Sequence, residues 1–106
     1  MKNKVIDALI EMGMPADLLG FRYIVDFICL LESPEWCDCK TTALYQKVAK
    51  MNSTSDSRVE RDIRHAFETV LKTGDIETVN KYLTRLNTTN GNLLHVLHLR
   101  LTQEEE

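Results

Sequence analysis

A chain of 106 residues, 43% hydrophobic and 27% charged, has the make-up of one soluble globular domain that can bury most of its apolar surface without covalent staples. No apolar run approaches the roughly 20 residues needed to cross a bilayer, and Asp7 and Glu11 interrupt what would be the apolar region of a signal peptide after Met1-Lys2-Asn3-Lys4, so a cytoplasmic protein without a membrane partner is expected. The net charge of −3 is unusual for a nucleic-acid binder, but three of the acids are Glu104, Glu105 and Glu106, in an acidic tail over 103–106 that is expected to be disordered. Without those three the chain is neutral, which predicts modest non-specific DNA affinity and reliance on specific contacts. Three cysteines, Cys29, Cys37 and Cys39, are an odd number with no secretory signal and are expected as reduced thiols.

Val5, Ile6, Leu9 and Ile10 predict a first amphipathic helix that stops near Gly13, before Pro15. Residues 14–17 read as a turn, and Gly20 as a break before a central buried helix over 21–31, with Ile24, Phe27, Ile28 and Leu31 at helical spacing. Pro34 places a loop after it. Trp36 is expected to cap the core from that loop, with an exposed partner anchor as the alternative. Cys37-Asp38-Cys39 has no second pair at zinc spacing, and His95 and His98, three apart on a Leu-rich segment, read as ordinary helix residues. No metal is expected.

The middle of the chain has a helix-turn-helix layout over 44–72. Leu44, Val48 and Met51 mark a short helix, with Thr41 or Thr42 as its cap. Asn52-Ser53-Thr54-Ser55-Asp56-Ser57 is a run of turn and cap residues. A longer helix follows, with Val59, Ile63, Ala66, Phe67 and Val70 on one stripe. Small Ala49 suits a close approach of the two helices, and Val59 should pack beneath the turn.

Arg58, Arg61 and His65 project from nearly the opposite side, with Arg64 between the two faces. A guanidinium can bond guanine O6 and N7 together, and a carboxylate such as Glu60 can accept from cytosine N4, so this helix holds the side chains of a DNA reader. Arg58 with Asp62, or Glu60 with Arg64, equally describes a solvated face with weak ion pairs. Ser57 and Glu60 form a capping box that would tie Glu60 to the backbone, whereas Thr54 as the cap would leave Glu60 free. Lys40, Lys47 and Lys50 on the preceding segment suit phosphate contact or plain solvent exposure.

Gly74 closes the long helix, and Asp75 caps the next one, whose inward face is Ile76, Val79, Tyr82 and Leu83. Residues 84–92 read as a polar connection with Asn90-Gly91 as its turn. The last helix, over 93–101, is apolar on more than one side and is predicted to be either deeply buried or half of an interface. The fold predicted is all-α: a single compact domain over 1–106, of five to six helices and containing a helix-turn-helix. No phosphate loop or nucleophile motif is present, so neither catalysis nor a cofactor is expected.

Leu44-Tyr45, Ala49-Lys50, Ser57-Arg58-Val59-Glu60-Arg61, Ile63-Arg64-His65-Ala66 and Gly74-Asp75-Ile76, together with Met12-Gly13-Met14-Pro15-Ala16 and Gly20-Phe21-Arg22-Tyr23 upstream, resemble the DNA-binding effector domain of the master sporulation response regulator of endospore-forming bacteria. The resemblance covers most of residues 5–83. It implies a transcriptional regulator that binds double-stranded DNA at TGTCGAA-type boxes, with Arg58, Glu60 and Arg61 reading bases and Arg64 and His65 holding phosphates, and it favours Thr54 as the cap. It also implies a homodimer on tandem sites, contact with an RNA polymerase sigma subunit through the later helices, and an N-terminal phosphoacceptor receiver, of which these residues contain none. Three positions depart from the pattern: Asp62 adds a negative charge beside the reading face, Asn52 replaces an aromatic residue so that Met51 is expected to pack the turn, and Leu71 stands in place of Trp. The competing expectation is a protein-interaction module that keeps the fold without specific DNA binding.

Overall fold

A computed structural model describes residues 1–103 as six helices: α1 (Lys2–Glu11), α2 (Leu19–Glu32), α3 (Thr41–Met51), α4 (Asp56–Thr73), α5 (Ile76–Tyr82) and α6 (Asn90–Gln103), with no strand among the described residues. The radius of gyration, 12.6 Å, is that of a single domain of this size, about 13 Å. Gln103 is the last residue of α6, which corrects the start expected for the acidic tail; its residues 104–106 lie outside the described part. Among the described residues no helix is long and apolar enough to cross a membrane.

α2 is the spine, as its near-continuous apolar run foretells. Phe21, Tyr23, Ile24, Val25, Phe27, Ile28, Leu30 and Leu31 are all buried on it, and α1, α3, α4 and α6 all pack against it, α4 most extensively. Gly20 does not break the chain before this helix; it lies inside the first turn. A Cβ at that position would sit 2.1 Å from the Asp62 carbonyl oxygen and 2.8 Å from the Ala66 Cβ, so the glycine lets two helix backbones touch. Gly13 does end α1, at φ +86°, with the Gly13 amide donating to Ile10 O at 2.9 Å and the Met14 amide to Leu9 O at 3.0 Å, the paired bonds of a Schellman cap. Gly74 ends α4 for another reason. Its φ is −74°, open to any residue, but a Cβ there would meet Val70 O at 2.6 Å and Met12 O at 2.9 Å.

Several local expectations are corrected by tertiary contacts. α3 begins from an extended Lys40 with no side-chain cap, so Thr41 and Thr42 are its first helical residues, not its caps; the Lys40 carbonyl accepts the first helical bond, from the Leu44 amide at 3.1 Å. The turn after α3 is held by Asn52, whose Nδ2 donates to Asp26 Oδ2 and to Val48 O, both at 2.9 Å. Met51 is 49% exposed and does not replace the missing aromatic. Ser53 carries φ +53°, the one non-glycine residue in the left-handed region among the described residues, where the chain reverses.

Ile76 is exposed, because it opens a seven-residue helix of which only Val79 and Tyr82, with Leu83 behind them, reach the core. Asp75 caps that helix as expected, accepting from the Thr78 amide at 3.1 Å. The Asn90-Gly91 turn signal is overridden: Thr89 Oγ1 accepts from the Asn92 amide at 3.4 Å, Asn90 is buried, and its Nδ2 donates to Glu60 O at 2.7 Å. α6 therefore starts at Asn90. Its apolar residues divide into a buried stripe of Leu93, Leu94, Leu97 and Leu101 and an outer Leu99 that is 60% exposed.

Candidate nucleic-acid interface

α4 has the sharpest division of faces in the molecule. Val59, Ile63, Ala66 and Val70 are fully buried and Phe67 nearly so, against α2 and α3. Val59 and Ala49, on either side of the turn in sequence, both belong to the buried core. With that stripe fixed, helical periodicity turns Arg58, Arg61 and His65 outward, and all three are exposed. Among the described residues none of their side chains has an ion pair or a hydrogen bond. Lys72 extends the exposed basic row in the last turn, with Glu68 as its acidic interruption.

The cap of α4 is Ser55, neither Thr54 nor Ser57. Its hydroxyl accepts from the Arg58 amide at 3.3 Å, with the Ser57 hydroxyl 3.3 Å away. In a stretch where every residue is a capping type, the sequence leaves the choice open; the helix starts where Val59 must drop into the core. Glu60 consequently lies in the second turn, free of any capping role. It is not free of partners: Arg64 donates to it across one turn, both side chains about half exposed. One of the two ion pairs that a plain solvated face would make is therefore present, and the other, Arg58 with Asp62, is not among the described residues. Asp62 is half-buried on the α2 side of the helix, where its carbonyl faces Gly20, at the edge of the basic row.

Lys47 and Lys50 extend from the outer flank of α3. Lys47 is half-buried with its ammonium 5.6 Å from the centre of the Trp36 ring, and Lys50 is exposed. Behind these residues, Tyr45 meets Phe27 with ring centres 5.5 Å apart and planes tilted by 53°, and burial pushes its hydroxyl above the usual tyrosine range. Asn90 is the part of this arrangement that periodicity missed: placed in a polar stretch by sequence, it ties α6 to the backbone of α4 at a proposed reader. The signal available was only that an Asn after two threonines precedes a Leu-rich segment.

The thiols and imidazoles stay apart. Cys37 Sγ lies 3.7 Å from Pro34 O, burial pushes the Cys29 thiol up, His98 Nε2 lies 2.8 Å from Glu32 Oε1, and His95 meets the Phe27 ring edge-on at 6.5 Å. No group of three or more His, Cys, Asp or Glu side chains placed to hold a metal exists among the described residues.

A family model described as "Sporulation initiation factor Spo0A C terminal" matches residues 5–101. The chain belongs to that family. The match takes in α6 as well as the helix-turn-helix, and so extends past the segment where the resemblance is legible by eye. Membership in the Spo0A C-terminal family makes this an all-helical DNA-binding domain of a sporulation transcription factor, a class of regulator and not of enzyme.

Proposed function

We propose that this Spo0A C-terminal domain binds duplex DNA sequence-specifically by laying α4 in the major groove over a TGTCGAA-type box. The observation that carries this is the exposed, unpartnered row of Arg58, Arg61 and His65 on a helix whose opposite face is locked in the core. A rigid helix presenting guanidinium groups is the usual element for reading guanine in the groove. In this assignment Arg58 and Arg61 read bases and Glu60 accepts from a cytosine. Arg64 and His65 hold phosphates, with Lys47 and Lys50 adding backbone contacts from α3. The Glu60–Arg64 pair orients both groups before binding, and its exposure keeps it weak enough to exchange for DNA contacts.

A homodimer on tandem boxes and a sigma subunit of RNA polymerase are the protein partners we assign to the later helices, in the bacterial cytoplasm. Exposed Leu99, with Val96, Thr84 and Arg100 lining a shallow groove of about 450 Å³ beside it, supports a protein contact there. The same exposed Leu99, with Ile76 and Leu86 and the net charge of −3, favours the second reading, a protein-interaction module without specific DNA binding.

Fluorescence anisotropy against a labelled box duplex and a scrambled duplex, each at two salt concentrations, separates the two. A preference for the box of tenfold or more, about 1.4 kcal/mol, supports the DNA reader. Weak and equal binding that vanishes with salt leaves only the interaction module.

A further inference from the structure

Trp36 is the single tryptophan of the chain. It lies in the loop between α2 and α3, half-buried, packed in part against the core. The exposed part of its ring carries the Lys47 ammonium, 5.6 Å from the ring centre and within cation–π reach. Both side chains line a groove of about 570 Å³ that runs along the outer flank of α3 past Gln46 and Lys50 to Thr54 and Asp56 at the first turn of α4. Two cations face one acid in it. The groove ends two residues before Arg58, so a duplex seated on α4 passes its backbone beside this opening.

We infer that Trp36 is a positioning residue of the DNA interface, its ring holding the Lys47 ammonium in the groove between the Trp36 loop and the first turn of α4, where the ammonium meets a backbone phosphate. This rests on the proposed DNA reading. A lysine on a free four-carbon stem loses rotamer entropy when it grips a phosphate, and a ring that already restrains the stem lowers that loss. An ammonium against a ring face keeps donors for a phosphate oxygen on its other side. Asp56 repels phosphate from the helix terminus itself and directs the contact toward Lys47 and Lys50.

The test reads the slope of log affinity against log salt for the box duplex, which falls by about 0.9 for each phosphate neutralised. Trp36→Leu and Lys47→Ala are each expected to reduce that slope by up to about one such step; the double variant is expected to show no further reduction, and Trp36→Phe to keep the wild-type slope. A wild-type slope in a Trp36→Leu protein with native circular dichroism overturns the inference, as does a double variant whose losses add. Should Trp36→Leu not fold, the emission of Trp36 in the wild-type protein decides: a change on saturation with box duplex supports the contact, and an unchanged spectrum overturns it. Failure of the DNA reading is distinct, since it shows as loss of box preference in the wild-type chain before any variant is made.

Discussion

α4 and α6 begin from the same physical task and finish differently. Each buries one apolar stripe, Val59, Ile63, Ala66, Phe67 and Val70 on α4 and Leu93, Leu94, Leu97 and Leu101 on α6. On α4 the remaining surface is polar, with acids and bases in balance, and burial alone aims Arg58, Arg61 and His65 at solvent. On α6 the outer surface keeps Leu99 exposed and Val96 half-exposed beside Arg100. The first surface suits a polyanion and the second a protein. A sharply divided helix commits its outer face by where its core stripe lies; a helix apolar on several sides leaves that choice to its neighbours.

The largest effects should come from the shared task. Phe67→Ala on α4 is expected to cost about 3–5 kcal/mol and Leu97→Ala on α6 about 2–5 kcal/mol, both read by urea denaturation. A loss under 1 kcal/mol at either site would mean that the helix is not anchored by its stripe.

The two faces separate at the next level. Arg61→Ala is expected to cost about 1–3 kcal/mol on the box and to relax base preference, while Arg64→Ala should weaken box and scrambled duplexes alike and flatten the salt slope. An equal loss on both duplexes for Arg61→Ala would move that residue to the backbone. Leu99→Ser on α6 should leave single-box affinity within about twofold, below 0.5 kcal/mol as for most surface changes, and lower binding to paired boxes. A large loss on a single box would put α6 in the DNA interface and erase the contrast.

Smaller effects test how α4 is held. Ser55→Ala should destabilise by about 1 kcal/mol through loss of the cap, where Thr54→Ala should not; thermal melts of the two variants compare them directly.

The last prediction concerns Tyr45 on α3 and Tyr82 on α5, both buried. Burial raises the Tyr45 hydroxyl above its ordinary pKa of 10.0, and burial together with the hydrogen bond to Glu11 raises Tyr82. Neutral tyrosine is the form that the folded state favours, so the stability that these groups contribute is complete below pH 10 and is lost as pH rises through their raised folded values. Urea midpoints should therefore fall on the alkaline side, and Tyr45→Phe should flatten that fall. An unchanged alkaline limb in both Tyr→Phe variants would exclude them as its source.

Particular residues show why some features were legible and others were not. The stripe on α4, the end of α1 at Gly13 and the Asp75 cap each depend on neighbours a few positions away, and periodicity or cap chemistry finds them. Gly20 misled because a glycine reads as a break until a partner helix is known, and its actual role is set by Asp62 and Ala66, more than 40 positions on. Asn52 and Asn90 read as turn residues, yet one is bound to Asp26 and the other to the Glu60 carbonyl, partners that exist only after the helices assemble. Leu99 could not be assigned to core or surface, since a helix with leucines on several sides has no preferred face by itself.

By itself the sequence determined an all-helical chain, a helix-turn-helix with a basic outward face, and the family that the matched model shows, because helical period and cap chemistry are local and the motif is continuous. Tertiary structure decided which serine starts the reading helix, that Trp36 and Lys47 share one groove, and which leucine of α6 remains outside. Those outcomes depend on distances between segments far apart in the chain, which no local spacing encodes.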